Sequence, residues 1–135
     1  MRHFRTYHDP EVAKWVKQLT KDFSNWFLEN VGVDHQITIR LLAAGSIIIR
    51  TGRAAACFGL QREKPCIDVA TWWYFWREDG WVTNRVEARA FILESLAHEF
   101  SHYDKWRRGV QWENHRGLQR QVDSMIRKFN NSIGA

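Results

Sequence analysis

Two histidines four residues apart with a glutamate after the first, His98-Glu99-Phe100-Ser101-His102, form the segment of this chain best suited to chemistry. On an α-helix, residues at that spacing lie one above the other on the same face, so both imidazoles can be directed at one point. A zinc ion suits that point. Glu99 then lies beside the ion without being a ligand, where its carboxylate can act as general base toward a zinc-activated water. With six histidines among 135 residues, a random arrangement would contain this pattern on the order of one or two per cent of the time. Chance is therefore a poor explanation for it.

A catalytic zinc ordinarily has three protein ligands and one open position. His115 is the expected third ligand, because it follows soon after the helix should end at Gly109, and a reversal through Val110 to Asn114 would bring it back. Glu113 and Asp123 are its rivals. For the charge that develops on a reacting carbonyl, Tyr103, Tyr74 and Arg116 are the candidate donors. Glu94 and Asp104 could orient the ligand imidazoles, but are read first as solvated helix charges.

A helix from about Pro10 to Glu29 is expected to begin at Asp9-Pro10-Glu11, which offers a capping oxygen, a proline that needs no donor, and a carboxylate near the positive dipole end. Val12, Trp15, Val16, Leu19, Phe23, Trp26 and Phe27 recur at threes and fours and give it one buried face. From Gln36 to Phe75 the pattern changes to β structure. Ile37, Ile39 and Leu41 alternate with polar residues, Ile47 to Ile49 and Ala54 to Phe58 make further strands, Gly59 to Pro65 is a polar loop, and Ile67 to Phe75 is the last strand. Either Ala54 to Phe58 or Ile67 to Trp73 could offer an edge to an extended substrate. The aromatic run Trp72 to Trp76 is read as core, with the lining of a substrate cleft as the alternative.

After a break at Glu78-Asp79-Gly80, Asn84 and Glu87 resemble a capping box that opens a long helix to about Arg108. A last helix starts near His115 or Arg116 and buries Leu118, Val122, Met125, Ile126 and Phe129. The expected architecture is a single α+β domain over residues 1–135: an N-terminal helix, a small sheet of three or four strands, the histidine-bearing helix and a C-terminal helix.

The segment from Ala88 through His102 to Asn114-His115-Arg116-Gly117-Leu118 resembles the core of the SprT-like zinc metallopeptidases. That resemblance implies a minimal zincin fold, with His98, His102 and His115 as ligands of one zinc ion and Glu99 as the catalytic carboxylate. It also implies hydrolysis of peptide bonds in a protein or peptide substrate. In the family a glycine commonly follows the third histidine directly, whereas here Arg116 intervenes before Gly117.

The net charge of +5, with Arg107-Arg108 between Trp106 and Trp112, leaves room for DNA association as an alternative or additional role. No long basic run supports it, and a solvated basic surface is the simpler reading. Cys57 and Cys66 lack metal-knuckle spacing and are expected to be reduced thiols packed as small apolar groups. The absence of a secretory signal and of any run of about 18 apolar residues points to a cytoplasmic protein without a membrane span.

Overall fold

The structure, a computed structural model, describes residues 3–72, 85–111 and 114–134. Their α+β architecture is built from strands β1 (Phe4–His8), β2 (Ile37–Leu42), β3 (Ile47–Ile49), β4 (Gly52–Ala54), β5 (Ala56–Gln61) and β6 (Lys64–Ala70). Three helices accompany them: α1 (Lys14–Asn30), α2 (Arg85–Arg107) and α3 (Leu118–Ser132). Four strands form a mixed sheet in the order β1-β2-β6-β5. In it β1, β2 and β6 run parallel and β5 antiparallel, while β3 and β4 pair apart as a hairpin.

The alternation of Ile37, Ile39 and Leu41 sends all three into the core at 0% exposure, as a period of two requires of a half-buried strand. β6 is interior, paired on both sides, and accordingly its apolar residues run almost without interruption. Against this sheet the helices meet in an aromatic cluster. Phe100 of α2 lies 4.7 Å from Phe27, 5.4 Å from Phe23 and 6.1 Å from Phe4, measured between ring centroids, and Phe129 of α3 lies 5.3 Å from Phe23. One helix face after another is thereby tied to the same point.

Several expectations are corrected. A strand, β1, precedes the first helix; four of its five residues are exposed, so no alternation announces it. Helix α1 begins at Lys14 and not at Pro10. The Asp9 carboxylate accepts the Ala43 backbone N–H at 2.8 Å, after the end of β2, and so ties two loops together without capping a helix. The presumed loop from Gly59 to Pro65 is a β-hairpin in which β5 and β6 meet through Arg62-Glu63. Both turn residues have positive φ, 51° and 67°, the pattern of a type I′ turn that twists in the same sense as its strands. The last strand ends at Ala70, and residues 73–76 of the aromatic run lie outside the described residues, as do Glu78-Asp79-Gly80 and Asn84. Helix α3 begins at Leu118, beyond a left-handed Gly117 with φ 72°, which leaves His115 and Arg116 in the preceding turn.

Both hairpin-turn residues occupy a backbone region that costs an L-residue with a Cβ about 1–2 kcal/mol. The double substitution Arg62→Asn, Glu63→Gly should therefore raise stability by about 1 kcal/mol. Urea denaturation checks this; an unchanged or lower midpoint would contradict the turn assignment.

Candidate metal centre

Helix α2 carries His98 and His102 one turn apart, and it is buried on nearly every side. The two imidazoles leave the helix together, with their Nε2 atoms 3.2 Å apart. Gly109, with φ 71°, ends the helical path. The chain then turns back, and the Lys105 ammonium fastens the returning segment by donating to the Asn114 and Arg116 carbonyls at 2.9 and 3.2 Å. His115 arrives beside the first two, its ring centroid 5.3 Å from that of His98 and 4.9 Å from that of His102.

One nitrogen from each of the three histidines lies within 4.8 Å of the others. Two nitrogens bound to one tetrahedral zinc at about 2.05 Å would stand about 3.3 Å apart, close to the His98–His102 separation. The donor set therefore fits a metal ion that accepts imidazole. Burial, followed by the neighbouring His102 and His115, lowers the His98 pKa to about 4. Its ring is then neutral at pH 7, with a lone pair to give.

Glu99, between the two α2 histidines, is 6% exposed. Burial pushes its pKa up to about 8, against the opposing effect of a hydrogen bond from the backbone of Phe58. That bond has a topological origin. Ala70 N–H donates to the Ala55 carbonyl, and the alternation of an antiparallel ladder then turns the backbone groups of Ala56, Phe58 and Leu60 away from β6. β5 is the edge of the sheet, so Phe58 N–H is available to Glu99. Ala55 and Ala56 join Phe91, Glu94, Ser95, His98 and Glu99 around a cleft of about 260 Å³.

No protein-family model, curated protein or solved structure matches the chain.

Of the expected site residues, His98, Glu99, His102 and His115 are brought together. Asp123 is not part of the cluster and accepts the Gln119 amide at 2.9 Å; Glu113 lies outside the described residues, as do Tyr74 and Trp112. Tyr103 is fully buried, and its hydroxyl accepts the Asp34 N–H at 3.0 Å and meets His35 Nδ1 at 3.0 Å. It is committed to anchoring α2 against the segment before β2. Asp104 is neither a solvated charge nor a partner of the histidines. At 6% exposure it takes Arg107 at 2.9 Å, Arg108 at 3.2 Å and the Gln121 amide at 3.3 Å. Glu94 is exposed and accepts Gln119 at 3.2 Å. The two cysteines are free and stand apart from the three-histidine cluster. Desolvation raises the Cys66 thiol to about 11, with Asp68 adding to the effect.

Arg107, expected as a basic surface residue, turns inward to Asp34 at 3.0 Å and to the Val31 carbonyl at 3.0 Å, in addition to Asp104. Trp106 packs on His35, with ring centroids 4.6 Å apart. The Phe58 N–H was missed at the sequence level, since a backbone donor carries no residue signature. The spacing Asp104-x-x-Arg107 was the available sign of the ion-pair cluster.

A carboxyl whose folded pKa is raised holds its proton in the native state where the unfolded chain has lost it. Its stabilising contribution is complete below the unfolded value and is lost as pH rises through the folded one. With chelator present, the stability of the Glu99→Gln protein relative to the parent should therefore increase from pH 5 to pH 8. Urea unfolding at the two pH values reads this difference, and a constant difference would contradict the burial of a titrating Glu99.

Proposed function

We propose that the chain is a zinc-dependent peptidase with a minimal zincin fold, resembling the SprT-like metallopeptidases, that hydrolyses peptide bonds in an intracellular protein substrate. The carrying observation is the convergence of His98, His102 and His115 beside a buried glutamate that is not itself a member of the ligand set. A purely structural metal site has no need of Glu99, whose burial as an ionisable group is costly.

His98, His102 and His115 would hold the ion, which when bound supplies Lewis acidity toward a peptide carbonyl and a water molecule. Glu99 does the proton work. The Phe58 N–H orients its carboxylate, and burial raises its proton affinity toward neutrality. Ionised beside a bound cation, Glu99 would take a proton from water and hand it to the leaving amine within one cycle. Of the two side chains considered for the developing oxyanion that lie among the described residues, Tyr103 is committed elsewhere and Arg116 stands in the turn beside His115.

The sheet contributes the approach. Of the two strands considered as a substrate edge, β6 is interior and β5 is terminal. The outward backbone groups at Ala56 lie next to the cleft that His98 and Glu99 share. An extended peptide added along β5 would bring its backbone past Glu99. No helix among the described residues is long and apolar enough to cross a membrane.

The purified protein should bind about one zinc per chain. His98→Ala should lose the metal, and His115→Ala should weaken its binding while leaving the fold intact, since His115 is exposed. Glu99→Gln should keep the metal and lower cleavage of an unfolded protein substrate by about 10²–10⁴-fold. Metal analysis and cleavage assays together test the reading. A Glu99→Gln protein that cleaves as fast as the parent would remove the proposed base, and a reconstituted protein that binds no zinc would sink the proposal.

A further inference from the structure

A second cavity, sharing no residue with the metal centre, lies between β1 and α1. Lys17, Lys21, Ser24, Asn25 and Leu28 recur along α1 at steps that place them on one stripe about 16 Å long. Phe4 and Thr6, two apart on β1, present one strand face to it. With His3, these residues line a cavity of about 420 Å³, a size typical of small-molecule sites.

Ser24 decides the character of the cavity. It is 3% exposed, and its hydroxyl has no hydrogen-bond partner among the described residues. Two other buried helical hydroxyls satisfy themselves one turn back: Thr20 donates to the Val16 carbonyl and Ser101 to the Ala97 carbonyl, both at 2.8 Å. Ser24 has the same local option on the same helix as Thr20 and does not take it. A buried polar group left without a partner is uncommon in a native structure and calls for one.

The charges point the same way. Among the described residues no carboxylate lines the cavity, and neither Lys17 nor Lys21 makes an ion pair. Lys17 is half-buried. Lysine offers a point charge on a flexible stem, suited to one compact anionic group more than to the planar bidentate recognition that arginine provides. Phe4, Leu28 and the lysine stems supply apolar wall.

We propose that this cleft binds a small organic carboxylate. The apolar body lies against Phe4 and Leu28, and the carboxylate accepts hydrogen bonds from the Ser24 hydroxyl and from the ammonium groups of Lys17 and Lys21. A neutral molecule of the same shape leaves both lysines uncompensated.

The test is titration of the full-length, ¹⁵N-labelled protein with 4-phenylbutyrate and, in parallel, with the uncharged 4-phenylbutyramide, followed by amide chemical shifts. The carboxylate should give saturable shifts centred on Thr6, Ser24 and Leu28, with the amide at least about tenfold weaker. Ser24→Ala should weaken binding about fivefold or more and raise the melting temperature, because an unsatisfied hydroxyl is removed. Lys17→Gln with Lys21→Gln should abolish the preference for the charged ligand. His98→Ala should leave binding unchanged, which separates this site from the proposed peptidase reading. The proposal is overturned by shifts that do not saturate below about 10 mM, by saturable shifts elsewhere, by equal binding of the amide, or by an unchanged affinity in Ser24→Ala, which would assign the hydroxyl to water alone.

Discussion

The constraint on which this structure rests is that its central helix must be buried while carrying charge. Helix α2 is enclosed by the sheet and by both other helices, yet Glu99, His102 and Asp104 lie within its buried face. A buried ionisable group without a partner is costly, so each needs its own arrangement. Asp104 gathers two arginines and an amide. His102 stands against two other imidazoles. Glu99 receives a single backbone N–H and responds with a raised pKa. The three solutions differ in completeness, and the least complete is at Glu99, the residue we propose as the base.

The elements around α2 can be understood as what holds these arrangements in register. The aromatic cluster at Phe100 fixes the helix against α1, β1 and α3. On the adjoining stretch, Tyr103 and Arg107 fasten it to the residues between α1 and β2 through Asp34, His35 and Val31. Gly32 belongs to that fastening. Its φ of 113° disfavours any side chain, and a Cβ there would stand 3.2 Å from the Arg107 guanidinium. Helix and loop thus approach each other at a position whose backbone conformation suits glycine.

How much of this was legible in the sequence depended on whether local chemistry and tertiary contact agreed. The spacing of His98 and His102 is a helical fact, and the return of His115 needed only a helix end at Gly109 and a short turn, so the three-histidine cluster could be read directly. Asp9-Pro10-Glu11 carries sound helix-start chemistry, but the Ala43 N–H competes for the same carboxylate and holds it. Arg62-Glu63 gave no turn signal because neither residue is among those that favour positive φ. β1 was invisible since an edge strand with one inward residue has no period to detect. Tyr103 reads as a catalytic donor from sequence because its two hydrogen-bond partners are nearly seventy residues away along the chain.

The parallel pairing of β1 with β2 also bears on the order in which the protein can be made. Phe4 is opposite Ile37 and His8 opposite Leu41, so β1, which leaves the ribosome before β2, cannot join that ladder until the whole of α1 and then β2 have followed. At about 5–20 residues per second, that is an interval of roughly 2–7 s. β2 in turn waits for β6, which brings β5 with it as a preformed hairpin. During synthesis the sheet therefore closes from two separate pieces, and the early one, with Phe4 at its margin, spends longest without its neighbours.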